Sequence, residues 1–194
     1  FGAASAVEAA IGFRPGLVVE SLTLPLARHY SASGEHGRAL PLYLRALGGG
    51  HDQLDVVYET ALAHEEIGDC ATALDFFEEY RSSAPRSMRG EAGWHVGQCS
   101  FRVAQEMRAE GRHGEALPYL ERTIAIGEPR TLLPQAYFEK GDILTRMGLC
   151  DDAIQAFRQV PLADPSSGGP LARRARDRID EIRFGRGDRQ GEEC

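Results

Sequence analysis

Asparagine is missing from this chain, and lysine occurs once, as Lys140 among 22 Lys and Arg. The codons of both residues are AT-rich, so their scarcity fits a GC-rich genome and carries no mechanism. Without asparagine there is no N-glycosylation acceptor. No apolar run approaches the ~20 residues that span a bilayer. The four cysteines, Cys70, Cys99, Cys150 and Cys194, show no CxxC or CxxCH spacing, which leaves redox catalysis and haem attachment without a motif. Walker, GxSxG and GxGxxG patterns are also absent, and the HEE at His64 to Glu66 lacks the second histidine of a zinc-protease motif. The chain therefore reads as non-enzymatic, with no catalytic residue, no cofactor and no metal. A net charge of −7 argues against nucleic-acid binding, which rewards clustered Lys and Arg through counterion release.

What is present is a repeat. Gly34, Gly68, Gly111 and Gly148 share one frame, each followed five residues later by alanine and then by a bulky apolar residue. The segments are SGEHGRALPLYLRAL, IGDCATALDFFEEY, EGRHGEALPYLERTI and MGLCDDAIQAFRQV, so the common pattern is G-x-x-x-x-A-[LI]-x-x-[YFL]. A turn glycine supplies positive φ and ends the preceding helix. Nothing reads as a strand.

This pattern, with a period near 34, resembles the tetratricopeptide repeat, a helix–turn–helix unit, over roughly residues 17 to 184. The resemblance implies an all-α, right-handed superhelix of about four helix pairs closed by a C-terminal capping helix. With the turn glycine at repeat position 15, the units begin near Glu20, Leu54, Gly97 and Pro134. The family's small residue at position 8 falls on Ala27, Ala61, Ala104 and Gly141. Position 20 falls on Ala39, Ala73, Ala116 and Ala153, and position 24 on Tyr43, Phe77, Leu120 and Phe157. About nine extra residues, near Arg86 to Gly97, enter as an extension of the third unit's first helix, with Glu91 to Gly111 reading as one long helix. The organisation expected is a helix end and connector over 1–16, repeats at about 17–53, 54–85, 86–129 and 130–168, a cap over 169–184 and a flexible tail over 185–194. The start, FGAASAVEAAIGF, reads as the end of a helix from something longer, and a signal peptide or lipid-anchored stretch is one possible precursor. The RGD at Arg186 to Asp188 reads as chance in an arginine-rich tail.

Position 17 holds His36, Cys70, His113 and Cys150. Packed helices set equivalent positions on the order of 10 Å apart, whereas zinc ligands converge within about 2.3 Å of one ion, so the four do not form a shared metal site. Cys70 and Cys99 belong to adjacent units; they read either as small buried apolar residues or as a disulfide suited to an oxidising compartment.

The resemblance places function on the concave face of the first helices. Position 5 reads Leu24, Tyr58, Phe101 and Phe138, an aromatic stripe that either docks a partner or packs internally. Position 9 gives Arg28, Leu62, Gln105 and Asp142; position 12 includes Glu65 and Arg108, and position 13 includes Arg146. An apolar stripe edged by mixed charge suits a peptide or partner helix. Lysine and asparagine, which the family's clamps for chaperone tails use, are missing from these positions. The expectation is a protein-binding scaffold. Two alternatives are a structural subunit of a multiprotein assembly working through convex and edge surfaces, and a regulatory module of a longer signalling or enzymatic chain. The segment LADPSSGGPLARRARDRIDEI is similar to repeat endings of bacterial cell-envelope proteins, which tilts the expected location towards the periplasm or envelope, with the cytoplasm as the alternative. In the cap, Leu171, Ala175, Ile179 and Ile182 form an apolar stripe opposite a charged face that reads as solvated.

Overall fold

The computed structural model describes residues 20–49, 54–164 and 168–185, together with the isolated positions 6 and 9. The expected helix end and connector before residue 17 and the polar tail beyond residue 185 lie outside the described residues. Among those described, every regular element is helical: α1 (Glu20–Ala32), α2 (His36–Gly48), α3 (Leu54–Glu66), α4 (Cys70–Ser83), α5 (Arg89–Ala109), α6 (His113–Ile126), α7 (Leu133–Arg146), α8 (Cys150–Ala163) and α9 (Pro170–Phe184). Short 3-10 turns, Arg86–Met88 and Arg130–Leu132, precede α5 and α7. The backbone divides into two compact units, Phe1–Ala92 and Gly93–Cys194. In the first, α1, α2, α3 and α4 pack in sequence; in the second, α6, α7 and α8 pack in sequence and α9 lies on both α7 and α8.

One turn is built four times. Gly34, Gly68, Gly111 and Gly148 have φ between 72° and 90°. The residue after each glycine donates its N–H five residues back, as in Glu35 to Tyr30 and Asp69 to His64, both within 2.9 Å. Each glycine N–H reaches three residues back, to Ser31, Glu65, Arg108 or Thr145. These two bonds define the Schellman motif, which closes the last carbonyls of a helix and requires left-handed backbone at the glycine. The next helix starts two residues after each glycine. Only Asp69 adds a side-chain cap, accepting from the Thr72 N–H at 3.2 Å.

Between paired helices, a small residue faces a large one. Ala27, Ala61, Ala104, Ala39, Ala73, Ala116 and Ala153 are fully buried, and so are Phe77, Leu120 and Phe157. In the fourth pair the first-helix residue is Gly141, and a methyl group built there would stand 2.6 Å from the Phe157 ring. The backbone of α7 thus rests directly on that ring. Gly97 plays a similar part in the 21-residue helix α5: a Cβ there would run into the Glu128 carbonyl, and the neighbouring Gly97 carbonyl accepts from the Thr123 hydroxyl at 3.1 Å.

Two outcomes are expected. Gly141→Ala overpacks a filled contact and lowers stability by about 1–3 kcal/mol in urea unfolding, whereas Gly37→Ala, which meets open space, does not. Asp69 supplies the second. Partial burial raises its carboxyl, but hydrogen bonds from Thr72 and His64 outweigh that, and it titrates below the usual aspartate range. A depressed folded pKa means its contribution is present above the unfolded value near 3.9 and lost as pH falls through the folded value. The stability difference between wild type and Asp69→Asn should accordingly shrink as pH falls below about 4.

Candidate functional site

In the first unit the predicted groove residues range from exposed to buried, and two of them, Arg28 and Tyr58, contact side chains of neighbouring helices. Leu24 and Leu62 are half-buried. Arg28 is exposed and holds α1 to α3, its Nε 2.9 Å from Glu59 and a terminal nitrogen 2.6 Å from Asp55. Tyr58 is half-buried, edge-on to Phe77 and tilted against Tyr80 at 4.9 Å between centroids. Burial, then the charge of Glu91, pushes its phenol well above the usual tyrosine range. Glu65 is buried.

In the second unit Phe101 is buried against Ala104, Leu120 and Ile143 and is part of the core. Gln105 is exposed. Arg108 forms an ion pair with Glu139, whose carboxylate is 3 % exposed and also accepts from the Gln135 amide at 2.9 Å. That pair ties α5 to α7. Glu139 sits at repeat position 6, outside the positions that groove periodicity selects.

Three predicted residues, Phe138, Asp142 and Arg146, do come together. With Thr145 they form one wall of a half-open cavity of about 470 Å³. The opposite wall is Arg174, Asp177, Arg178 and Glu181, all on α9. Phe138 itself is 3 % exposed, with Phe157 edge-on and the Arg174 guanidinium 4.8 Å from its ring centroid. Arg178 bridges the two walls, 3.4 Å from Asp142 and 2.6 Å from Glu181.

The charged face of α9 reads from sequence as solvated, yet it forms the second wall. A signal for it exists. Phe138 meets Arg174 and Asp142 meets Arg178, in both cases 36 positions apart. The same offset relates Thr145 to Glu181, the buried Ala136 to Ala172 and the two prolines that open the helices, Pro134 and Pro170. Helix α9 therefore runs in register beside α7, where the first helix of a fifth unit would lie. Read in that register, Arg174, Arg178 and Glu181 occupy groove positions 5, 9 and 12.

A family model described as tetratricopeptide repeat matches residues 24–87. The photosystem I assembly protein Ycf3 of Synechococcus elongatus is 30 % identical over 125 residues, covering 60 % of this chain and 69 % of that protein. The chain belongs to the tetratricopeptide-repeat family. Ycf3 from a second Synechococcus strain matches to the same extent. A solved structure of a MamA mutant aligns with 86 % of the chain and 84 % of its own length, at 18 % identity and a TM-score of 0.51, a likeness of fold. As a tetratricopeptide-repeat protein, the chain is a scaffold for protein interaction. Among its described residues no helix is long and apolar enough to cross a membrane.

The Arg108–Glu139 pair gives a test of which groove-position residues are structural. Arg108→Ala leaves a buried carboxylate with one amide donor and should cost about 3 kcal/mol in urea unfolding. Adding Glu139→Gln should recover part of that loss. Arg146→Ala, on an exposed side chain, should change stability by less than about 0.5 kcal/mol.

Proposed function

We propose that this chain is a non-enzymatic scaffold that engages a protein partner in the groove between α7 and α9. The observation that carries this reading is the half-open cavity where three groove residues chosen from repeat register meet four charged residues of the last helix. Its lining is Phe138, Thr145, three arginines and three carboxylates, of which Arg178 is paired with Asp142 and Glu181. Phe138, the position-5 ring of this repeat, is buried and forms the floor of the groove, so partner specificity rests on the polar walls. The relatives named as assembly proteins support a role in bringing a complex together, with the scaffold holding one component through this groove.

A location in an oxidising compartment, such as the bacterial periplasm or cell envelope, goes with this proposal. Cys70, Cys99 and Cys150 are all disulfide-bonded, and among the described residues no cysteine is free. Disulfides persist where thiols are not kept reduced.

The test fills the cavity without touching the core. Asp177 and Asp180 are both exposed on α9, and only Asp177 lines the groove. Affinity capture from the native organism should lose a partner with Asp177→Trp and keep it with Asp180→Trp, with helical circular dichroism unchanged in both. Equal retention by the two variants would move the partner site elsewhere. Protein captured without reductant should take up no maleimide at Cys70, Cys99 or Cys150; labelling there would sink the compartment assignment.

A further inference from the structure

The charges of the α7–α9 groove are not equally committed. Arg178 is paired with Asp142 on the facing wall and with Glu181 on its own helix, so its charge is committed and these three side chains together carry a net −1. Arg146 and Arg174 also line the cavity, and neither has an ion-pair partner among the described residues; Arg174 rests on the Phe138 ring. A guanidinium offers five N–H donors in a planar fork that matches a carboxylate, and one lying over an aromatic ring keeps its edge free for such an acceptor. The two unspent cations are spaced along the groove. Arg174 is level with Phe138, and Arg146 is eight residues further along α7, which at 1.5 Å per residue is about 12 Å. An extended peptide rises about 3.3 Å per residue, so about four residues span that distance, and residues four apart point to the same side.

We propose that the groove receives an extended acidic segment of a partner protein, with two carboxylate side chains about four residues apart pairing with Arg174 and Arg146. This rests on the groove being the partner site. Asp177, midway along the opposite wall and without an ion-pair partner, selects against a third acid between the two and favours a neutral or donor side chain there. A single terminal carboxylate satisfies one arginine and leaves the other idle, so the match is to an internal segment.

The experiment uses fluorescently labelled ten-residue peptides capped at both ends, one with glutamates four residues apart, its glutamine isostere, and an isomer with the two glutamates adjacent. Anisotropy titrations at low ionic strength should show the spaced glutamate peptide binding at least tenfold more tightly than the glutamine peptide and more tightly than the adjacent isomer, with the preference eroding as salt rises. Arg146→Gln and Arg174→Gln should each weaken it about five- to tenfold, while Arg173→Gln, an exposed arginine on the same helix outside the cavity, leaves it unchanged. Equal affinity for glutamate and glutamine peptides overturns the proposal, as does an equal loss with Arg173→Gln. Binding restricted to a peptide with a free C-terminal carboxylate overturns the internal-segment assignment. A partner that is lost with Asp177→Trp but is indifferent to Arg146→Gln and Arg174→Gln keeps the groove as the partner site and rejects an acidic ligand.

Discussion

The contact between a small residue on one helix and a ring or leucine on its partner is what the rest of this structure hangs from. It sets how closely paired helices approach, and that closeness fixes which first-helix residues face inward and which face the groove. In the fourth pair the margin disappears, because Gly141 presents bare backbone to Phe157. Phe157 in turn sits edge-on to Phe138, the floor of the cavity. A change in the size of one interior residue is thus passed through two aromatic rings to the place where a partner would sit, without any polar intermediary.

Much of the fold was readable from sequence because its constraints are local and chemical. Positive φ at four glycines and size complementarity at positions 8, 20 and 24 each restrict residue type strongly, and both recur at fixed spacing. The candidate site was harder to read because groove positions are not restricted in that way. Position 5 turned out to hold buried rings at Phe101 and Phe138 and a half-buried one at Tyr58. At position 12, Arg108 is taken up by Glu139, a residue whose partner lies on the preceding repeat and so leaves no trace in the pattern of a single repeat. Helix α9 illustrates a third limit. Its amphipathic pattern is correct for a cap, yet the same charged stripe forms a wall once the register with α7 is known.

The two walls of the groove are held differently from behind and across. Behind, Ala175, Ile179 and Ile182 bury α9 in an apolar cluster with Ile154, Phe157 and Val160. Across, an ion pair between the partly exposed Arg178 and Asp142 and a cation–π contact from exposed Arg174 to the buried Phe138 ring join it to α7. Partly exposed polar contacts contribute little to global stability and are weakened by salt. The division of labour is that the apolar seam positions α9, while the polar seam adds contacts that can be remade at little cost to the fold.

The four Schellman turns bear on how such a chain can change over generations. Each turn satisfies its own carbonyls with its own N–H groups and asks for glycine at a single position. Apart from Asp69, which caps the helix that follows, the flanking residues are under no comparable demand, and they differ accordingly: Ser33, Ile67, Glu110 and Met147 precede the glycines, and Glu35, Asp69, Arg112 and Leu149 follow them. Because the backbone of each turn closes on itself, charge and polarity at most of these flanking positions can change without cost to the turn that holds the two helices together.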